Sequence, residues 1–400
     1  MSTTYAAGRH FLQIPGPTNV PDRVLRAMDY PTIDHRGPQF AAIGKKCLDG
    51  MKTIFKTRSH VVIYPASGTG AWEAALVNVL QEGDLVLMVE TGHFATLWHK
   101  MATKLGLETE FLATDWRRGV DPQAVEDRLR ADTGGKIKAV CVVHNETSTG
   151  STSAIAAVRA AIDAVGHDAL YLVDTISSLA SIDFRHDEWG VDVAVSGSQK
   201  GFMMPTGLAI VGVSQKALDA CAGSNLPASY FNFHDMMKMN EQGYFPYTPA
   251  ATLLRGLRAS IDMLTDEGLS NVVARHHRLA NGVRAAVAAW GLRNCAVAPK
   301  WHSDTVTAIL VPDGHNANDV IQAAYHNYGV SLGGGLGKVA GKVFRIGHLG
   351  WLNETMVLQA LGGTEMALRD AGISFKAGSG VGAAVEYYTE SRRPLTLAAE

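Results

Sequence analysis

The 400-residue sequence predicts an α/β protein: a large domain with a mainly parallel sheet of the seven-stranded type, then a smaller α+β C-terminal domain. Between residues 61 and 214, short continuous apolar runs alternate with amphipathic segments. Continuous apolar strands are typical of parallel sheets that are buried on both faces by helices. From about residue 295 the order becomes strand, helix, Gly-rich loop, strand and helix, which indicates a separate α+β unit.

The strands of the large domain are short and rich in Val, Leu and Ile. They are predicted at 61–64, 85–89, 139–143, 169–174, 191–197 and 208–213. The helices between them are predicted at 71–80, 95–105, 122–130 and 154–165. We expect Asp121 to cap the third of these helices and Ser153 the fourth, because short polar side chains accept hydrogen bonds from the first N–H groups of a helix.

A stretch from 223 to 249 that is rich in Tyr and Phe is predicted to be irregular, and loops of this length are usually functional or form interfaces. The predicted elements that follow it are helices at 252–265, 272–290, 318–328 and 354–368 and strands at 305–311 and 342–346. The pattern divides the chain into an N-terminal arm (1–20), a large domain (21–270) and a small domain (271–400).

The composition argues against several classes of function. Lys plus Arg (36) nearly balances Asp plus Glu (38), so no basic field favours nucleic acid or an anionic membrane. The four cysteines are scattered without a CxxC pair, which indicates neither a disulfide framework nor a metal site and fits a reducing compartment. Residues 1–18 lack a signal-peptide pattern, and no apolar run approaches the roughly 20 residues of a membrane span. We therefore expect a soluble, cytoplasmic protein.

Lys200 follows the apolar stretch 191–197, and Asp174 ends the apolar stretch 169–174. Active sites in parallel sheets lie beyond the carboxyl ends of the strands, so both side chains are expected in one site. A lysine that holds an aldehyde and a carboxylate that keeps a pyridine nitrogen protonated are the two groups that pyridoxal phosphate needs most. The pair predicts this cofactor, against the alternatives of a surface lysine in a turn and an aspartate that caps a helix.

Two further turns are candidates for cofactor contacts. The segment SGTG at 67–70 follows a strand and opens a helix, and its free N–H groups and hydroxyls suit a phosphate. Phe94 lies in the next strand-to-helix turn, where it could stack on a cofactor ring or fill the core. His93 and His144 could contact cofactor or substrate, and equally could be ordinary loop histidines.

Arg345 lies inside the apolar strand 343–347 of the second domain. Its guanidinium can bind a substrate carboxylate through two parallel hydrogen bonds, with a structural salt bridge as the alternative. The preceding Gly-rich segment, 333–337, is expected to be a mobile loop that can close over a substrate.

These motifs together resemble the class V, fold-type I aminotransferases that depend on pyridoxal phosphate, specifically the serine–glyoxylate and alanine–glyoxylate branch. The motifs are PGPTN at 15–19, DHRGP at 34–38, SGTG at 67–70, HNETSTG at 144–150, GSQKG at 197–201, YTP at 247–249 and FRIGH at 344–348. The resemblance implies the transferase fold of type I and a homodimer with shared active sites, and it leaves open whether dimers pair into tetramers.

The resemblance also implies roles for individual residues. Lys200 would hold the cofactor as a Schiff base and move the substrate proton, and Asp174 would pair with the pyridine nitrogen. The other residues implied to contact the cofactor are Ser67, Gly68, Thr69 and Gln199 at the phosphate, Tyr247 and Thr248 from the second subunit, Thr147 at the ring oxygen, and Phe94 on the ring face. Those implied to contact the substrate are Gly16, Arg345 and Arg36.

The implied reaction transfers the amino group of L-serine to glyoxylate and gives hydroxypyruvate and glycine. Aspartate–glyoxylate or alanine–glyoxylate transfer on the same architecture is the alternative, with Arg36 as the candidate for binding an aspartate side chain. A class V lyase such as a cysteine desulfurase needs a nucleophilic cysteine on the loop near Arg345, and residues 331–342 contain none.

Overall fold

The structure, a computed structural model, describes residues 8–392; residues 1–7 of the predicted arm and 393–400 of the predicted small domain lie outside the described residues. The strands of this range are β1 (Phe11–Leu12), β2 (His60–Ala66), β3 (Leu85–Val89), β4 (Glu108–Leu112), β5 (Ile137–Val143), β6 (Asn145–Glu146), β7 (Ser151–Thr152), β8 (Leu170–Asp174), β9 (Val193–Gly197), β10 (Gly207–Val213), β11 (Arg293–Asn294), β12 (Val306–Leu310), β13 (Val330–Ser331), β14 (Gly333–Gly334) and β15 (Val343–Gly347). The α-helices are α1 (Asp22–Met28), α2 (Pro38–Phe55), α3 (Gly68–Val79), α4 (His93–Lys104), α5 (Pro122–Arg130), α6 (Ile155–Ala164), α7 (Gln215–Cys221), α8 (Phe233–Asn240), α9 (Ala251–Glu267), α10 (Leu269–Ala289), α11 (Ala317–Tyr328), α12 (Glu354–Asp370) and α13 (Ser379–Glu390). Short 3-10 segments occur at Pro299–Trp301 and Gly337–Val339.

The large sheet has seven strands in the order β2-β10-β9-β8-β5-β3-β4. Only β10 runs antiparallel to its neighbours, β2 and β9, while the other neighbouring pairs are parallel. The predicted α/β fold with a mainly parallel sheet is thus confirmed. The sequence analysis missed β4, an edge strand whose residues are only half-buried and which lacks a continuous apolar run.

The helices predicted between the strands are present, and one of their two predicted caps is correct. The Asp121 side chain accepts a hydrogen bond from the Gln123 N–H in the first turn of α5. The expectation for Ser153 is wrong, because Ala154 is the N-cap residue of α6 and has no side-chain cap. The Ser153 hydroxyl instead donates to the Val143 carbonyl at 2.9 Å and so joins the start of α6 to the end of β5.

The stretch 223–249 is not irregular throughout, because α8 lies within it. Asn232 caps this helix by accepting from the Asp235 N–H at 3.0 Å, and Phe233 and Met236 are buried. A polar cap followed by apolar residues three apart is a helix signal, which the density of aromatic residues obscured. The sequence analysis also left out α1, α2, α7 and α13.

Two large hydrophobic cores divide the described residues. The first runs from Val24 to Val272 around the seven-stranded sheet, and the second runs from Leu279 to Tyr388 and includes Phe11. The second core covers an antiparallel sheet of order β11-β12-β15-β14, which confirms the smaller α+β unit. Helix α10 contributes to both cores, and β1 pairs with β13, so the exact domain limits stay a prediction.

This topology brings the carboxyl ends of β2, β5, β8 and β9 to one edge of the sheet, where the side chains that follow them meet. No helix among residues 8–392 combines the length and apolar character needed to cross a membrane.

Candidate active site

A cavity of about 230 Å³ lies at the carboxyl ends of these strands. Its lining consists of Gly16, Pro17, Gly68, Thr69, Trp72, Phe94, Asn145, Thr147, Asp174, Ile176, Ser177, Gln199 and Lys200. Eight residues of this lining were predicted from sequence as site residues, although they are spread over the chain from Gly16 to Lys200. They meet because each one follows a strand of the same sheet or lies in the N-terminal segment that packs beside it.

Lys200 is buried, with 8% of its surface exposed, and its Nζ donates a hydrogen bond to the Pro15 carbonyl at 2.5 Å. Burial lowers the pKa of this amine to about 8, and the nearby Arg345 charge adds to the effect while Asp174 opposes it. The neutral, nucleophilic fraction of the amine near physiological pH is therefore much larger than that of an ordinary lysine. Gly16 allows this approach, because its φ is +93° and a Cβ there would collide with the Lys200 side chain.

Asp174 is the last residue of β8 and is 4% exposed. One carboxylate oxygen accepts from the Ile176 N–H at 2.7 Å and the other from the Trp72 indole N–H at 3.0 Å. Burial raises the pKa of this carboxyl to about 7, against the lowering effect of these two hydrogen bonds. The side chain therefore stabilises a turn, whereas the alternative interpretation held that it caps a helix, and residues 175–181 form no helix. It also faces the cavity, where a cationic partner would keep it ionised.

The N-terminus of α3 forms one wall of the cavity through Gly68 and Thr69. Ser67 is the N-cap residue, but its side chain makes no capping hydrogen bond. The first N–H groups of a helix have no partner within the helix, and together with the helix dipole they favour a bound anion. Gln199 Oε1 is buried without a hydrogen-bond partner in the described residues, and a Cβ on Gly197 would lie within 3.1 Å of both that oxygen and the Gly68 nitrogen. The Gln199 side chain thus lies close to the start of α3.

Arg345 lies in β15 and is 7% exposed. Its Nε donates to the Gly334 carbonyl and its Nη1 to the Thr147 carbonyl, both at 2.9 Å. It forms no salt bridge with a described residue, so the alternative of a structural ion pair is wrong for residues 8–392. Burial lowers the pKa of this guanidinium to about 10. A buried cation without a carboxylate partner has an unmet demand for an anion.

The sequence matches the family model described as "Aminotransferase class-V" over residues 10–345. The chain belongs to this family. It is 54% identical to a serine–glyoxylate aminotransferase of Hyphomicrobium methylovorum over 95% of both chains. It is 50% identical to an L-aspartate–glyoxylate aminotransferase of Paracoccus denitrificans over 94% of this chain and 96% of that protein. The crystal structure of pyridoxamine–pyruvate aminotransferase from Mesorhizobium loti aligns with a TM-score of 0.90 at 28% identity, over 98% of this chain and 100% of that one.

These findings confirm the resemblance that the motifs predicted, and the molecule is an aminotransferase of fold type I. Five predicted site residues nevertheless lie outside the cavity lining, and Arg345 is one of them. Ser67 is adjacent to it, whereas Arg36, Tyr247 and Thr248 are exposed in the described chain. The Tyr247 ring stacks on Tyr230, with a centroid distance of 5.0 Å, and its hydroxyl donates to the Ser229 carbonyl. Their assignment to a shared site remains a prediction.

His93 and His144, for which the sequence allowed either a site contact or an ordinary loop position, have different positions in this aminotransferase. His93 begins α4 beside Phe94, and its backbone N–H donates to the Ser148 hydroxyl at 2.9 Å. His144 is buried and its ring packs against Phe184 and Trp189, away from the cavity lining. Burial lowers the pKa of His144 to about 4, so it stays neutral and fits the ordinary loop interpretation.

Sequence reasoning missed several residues that shape the site. The Thr147 hydroxyl donates to the Ser177 hydroxyl at 2.7 Å, and Asn145 Nδ2 donates to the same oxygen at 2.8 Å. Glu146 is buried and accepts hydrogen bonds from the N–H groups of Ala95, at 3.1 Å, and Phe94, at 3.3 Å. Asn145 and Glu146 belong to the HNETSTG motif, so the motif itself was their signal. Trp72 gave no signal, because an apolar residue in an apolar helix predicts only core packing.

The cysteines take no part in this site. Cys47, Cys141 and Cys295 are buried, Cys221 is partly buried, and none lines the cavity. Burial raises the thiol pKa to about 12 for Cys47 and to about 11 for Cys221 and Cys295. Protonated thiols are poor nucleophiles, which is unfavourable for a desulfurase.

Proposed function

We propose that this aminotransferase binds pyridoxal phosphate through Lys200 and transfers the amino group of L-serine to glyoxylate, giving hydroxypyruvate and glycine. The observation that carries the proposal is the buried Lys200 amine, which shares one cavity with Asp174 and lies within the electrostatic influence of Arg345. The serine–glyoxylate relative at 54% identity supports the choice of donor and acceptor.

The residues present fit this cofactor. The start of α3 has no side-chain cap and would accept the phosphate through its N–H groups, with the buried Gln199 side chain nearby. Asp174 would pair with the protonated pyridine nitrogen. The raised pKa of the Asp174 carboxyl matches a carboxylate that lacks such a cationic partner. Phe94 and Thr147 line the remaining walls, where we propose ring contacts.

Pyridoxal phosphate, when bound, withdraws electrons from the α-carbon of an amino acid and so makes the α-proton acidic. Lys200 accepts this proton at Nζ and later donates a proton when glyoxylate becomes glycine. An amine with a pKa near 8 suits both directions, because it is neither fully protonated nor fully neutral at working pH.

Arg345 binds the carboxylate that serine, glyoxylate and both products share. Its Nε and Nη1 are already bonded to the carbonyls of Gly334 and Thr147, which orients the guanidinium plane. The remaining N–H groups are available for a bidentate pair with the carboxylate. One arginine in a fixed orientation therefore serves both half-reactions.

Aspartate is the second candidate donor, because an L-aspartate–glyoxylate aminotransferase is 50% identical to this chain. Its side-chain carboxylate needs a second cation, for which Arg36 is the candidate. A panel with serine, aspartate or alanine as donor and glyoxylate as acceptor, followed by chromatography of the glycine formed, tests the proposal. We expect the highest kcat/KM for serine. A higher kcat/KM for aspartate, with activity toward aspartate lost in R36Q, would show that aspartate rather than serine is the donor.

We further propose a homodimer, because the motif residues Arg36, Tyr247 and Thr248 are exposed in a single chain. Mixed dimers provide the test. When one subunit carries K200A and the other carries Y247A and T248A, one of the two sites is intact only if Tyr247 and Thr248 act across the interface. We expect about half of the wild-type activity per dimer, whereas activity no higher than that of the Y247A/T248A parent would contradict the shared site.

A cytoplasmic location is proposed from the four cysteines, all of which are unpaired.

A further inference from the structure

We propose that Lys338 is a positioning residue: by pairing with Glu90 it holds the loop after β14 against the large sheet and so keeps Arg345 oriented for the substrate carboxylate. The proposal rests on the function proposed above for the identity of the substrate. The contacts that carry it are independent of that function.

The ion pair joins the two halves of the molecule. Lys338 lies in the 3-10 segment Gly337–Val339, and its Nζ bonds to Glu90 Oε1, just after β3. The same carboxylate oxygen accepts a hydrogen bond from the Trp116 indole N–H at 2.9 Å. Lys338 Nζ also lies 5.2 Å from the centroid of the Trp116 ring, within range of a cation–π interaction.

The burial of Glu90 distinguishes this pair from an ordinary surface salt bridge. The Glu90 side chain is 10% exposed, whereas that of Lys338 is 57% exposed. Exposed ion pairs contribute little, but a buried carboxylate that loses its cation keeps the cost of its desolvation. Within residues 8–392, removing the Lys338 charge leaves the Glu90 side chain with the Trp116 hydrogen bond alone.

Apolar contacts bring the loop into place beside the pair. Trp116, Val339 and Val343 belong to a small cluster that is separate from the two large cores. Gly337 has a φ of +53°, and a Cβ on it would lie 2.7 Å from the Trp116 ring and 3.3 Å from His93 Nδ1. The backbone of the loop therefore lies directly on two large-domain residues, Trp116 and His93, and His93 is the neighbour of Phe94 in the chain.

The loop connects directly to the guanidinium. In β14, Gly333 pairs with Arg345 and Gly334 pairs with Phe344. The Gly334 carbonyl accepts the Arg345 Nε hydrogen bond and lies only a few residues before Lys338. A shift of the loop would move this acceptor and leave the Thr147 carbonyl as the only orienting partner, so a weaker Lys338–Glu90 pair should loosen Arg345.

Steady-state kinetics of the holoenzyme test the proposal with three variants. K338M removes the charge and keeps most of the side-chain stem, whereas K338R restores a cation. K342M is the control: it removes an exposed lysine shortly after the Gly337–Val339 segment, and this lysine forms no salt bridge or side-chain hydrogen bond with a described residue. We expect K338M to raise the KM for serine and glyoxylate about threefold to tenfold with kcat changed less than about twofold. K338R and K342M should stay within about twofold of wild type, and the visible absorbance of the bound cofactor should not change.

Hydrogen–deuterium exchange separates a failure of the proposal from a failure of the proposed donor, because it needs no substrate. The amides of Val339 and Ala340 donate to the carbonyls of Leu336 and Gly337 within the loop. We expect these amides to exchange faster in K338M and in E90Q, but not in K342M. Unchanged exchange together with an unchanged KM in K338M and E90Q would overturn the proposal, as would a KM that rises equally in K342M.

Discussion

The two ends of the candidate active site, at Lys200 and at Arg345, are built differently. The Lys200 end is formed by residues at the carboxyl ends of β8 and β9, strands at the centre of one sheet whose side chains are buried throughout. The Arg345 end comes from a different sheet and core, and its guanidinium depends on two backbone carbonyls, one from each half of the molecule. Under the proposed function, cofactor chemistry would depend on rigid strand ends, whereas substrate binding would depend on contacts between two packed units.

The largest expected effect on activity comes from a substitution at the Lys200 end. K200A removes the amine that we propose moves the proton, so we expect kcat to fall about 10²- to 10⁴-fold, the range for loss of a general acid–base group. The visible band of the lysine-bound cofactor should also be lost. Spectra and steady-state rates check both points, with the exposed lysine variant K104A as the control. Activity of K200A near the wild-type level would remove Lys200 from the mechanism.

The burial of the Lys200 end also predicts a pH dependence. Burial disfavours the charged ammonium and lowers the Lys200 pKa from 10.5 to about 8, so the reactive neutral amine predominates above about pH 8. We expect the rate at which pyridoxal phosphate binds to the cofactor-free enzyme to rise with pH and level off above about 8. Stopped-flow absorbance measures this rate. A midpoint near the 10.5 of an unperturbed lysine would mean that the amine is solvated rather than buried.

At the Arg345 end, R345M removes the guanidinium that we propose pairs with the substrate carboxylate. We expect kcat/KM for serine to fall roughly 10²-fold, mostly through KM, while the absorbance of the bound cofactor is unchanged. Serinamide, which lacks the carboxylate, is the matched substrate. Wild type should strongly prefer serine over serinamide and R345M should not; an equal loss for both substrates would assign Arg345 a structural role.

A smaller effect, on the pH profile, should distinguish substitutions of two neighbouring tryptophans, Trp72 and Trp98, at the Lys200 end. W72F removes the indole N–H that stabilises the ionised Asp174, and hydrogen bonds to charged groups contribute about 1.5–3 kcal/mol. Loss of this bond raises the Asp174 pKa, so the acidic limb of the kcat/KM profile should move to higher pH by about one unit. W98F is the matched control, because the buried Trp98 stacks on Trp72 but its own Nε1 has no hydrogen-bond partner in the described residues. Equal shifts in both variants would point to packing rather than to the hydrogen bond.

The same comparison explains what the sequence could predict. Lys200, Asp174 and Gly68 were found because strand-end residues in a parallel sheet reach the site through local geometry. The apolar strands were found for a related reason, since burial on both faces leaves a continuous pattern that the exposed edge strand β4 lacks. Short-range signals therefore predicted most of the fold and the part of the cavity lining around Lys200 and Asp174.

The supporting contacts could not be predicted in this way. Trp72 bonds to Asp174 across 102 positions and Lys338 bonds to Glu90 across 248 positions, and neither pair leaves a local pattern. Arg36, Tyr247 and Thr248 are exposed in one chain, so their predicted role depends on a second subunit. Such partners become visible only once the packing is known.

The most direct test of the account follows the purified enzyme with L-serine in the absence of any keto acid. We predict that the visible absorbance of the bound cofactor falls, that about one equivalent of hydroxypyruvate is released per active site, and that glyoxylate restores the absorbance as glycine forms. K200A should show none of these changes. A cofactor band that serine leaves unchanged, but that another amino acid bleaches, would contradict serine as the donor; absence of the band after addition of pyridoxal phosphate would contradict the role of Lys200 itself.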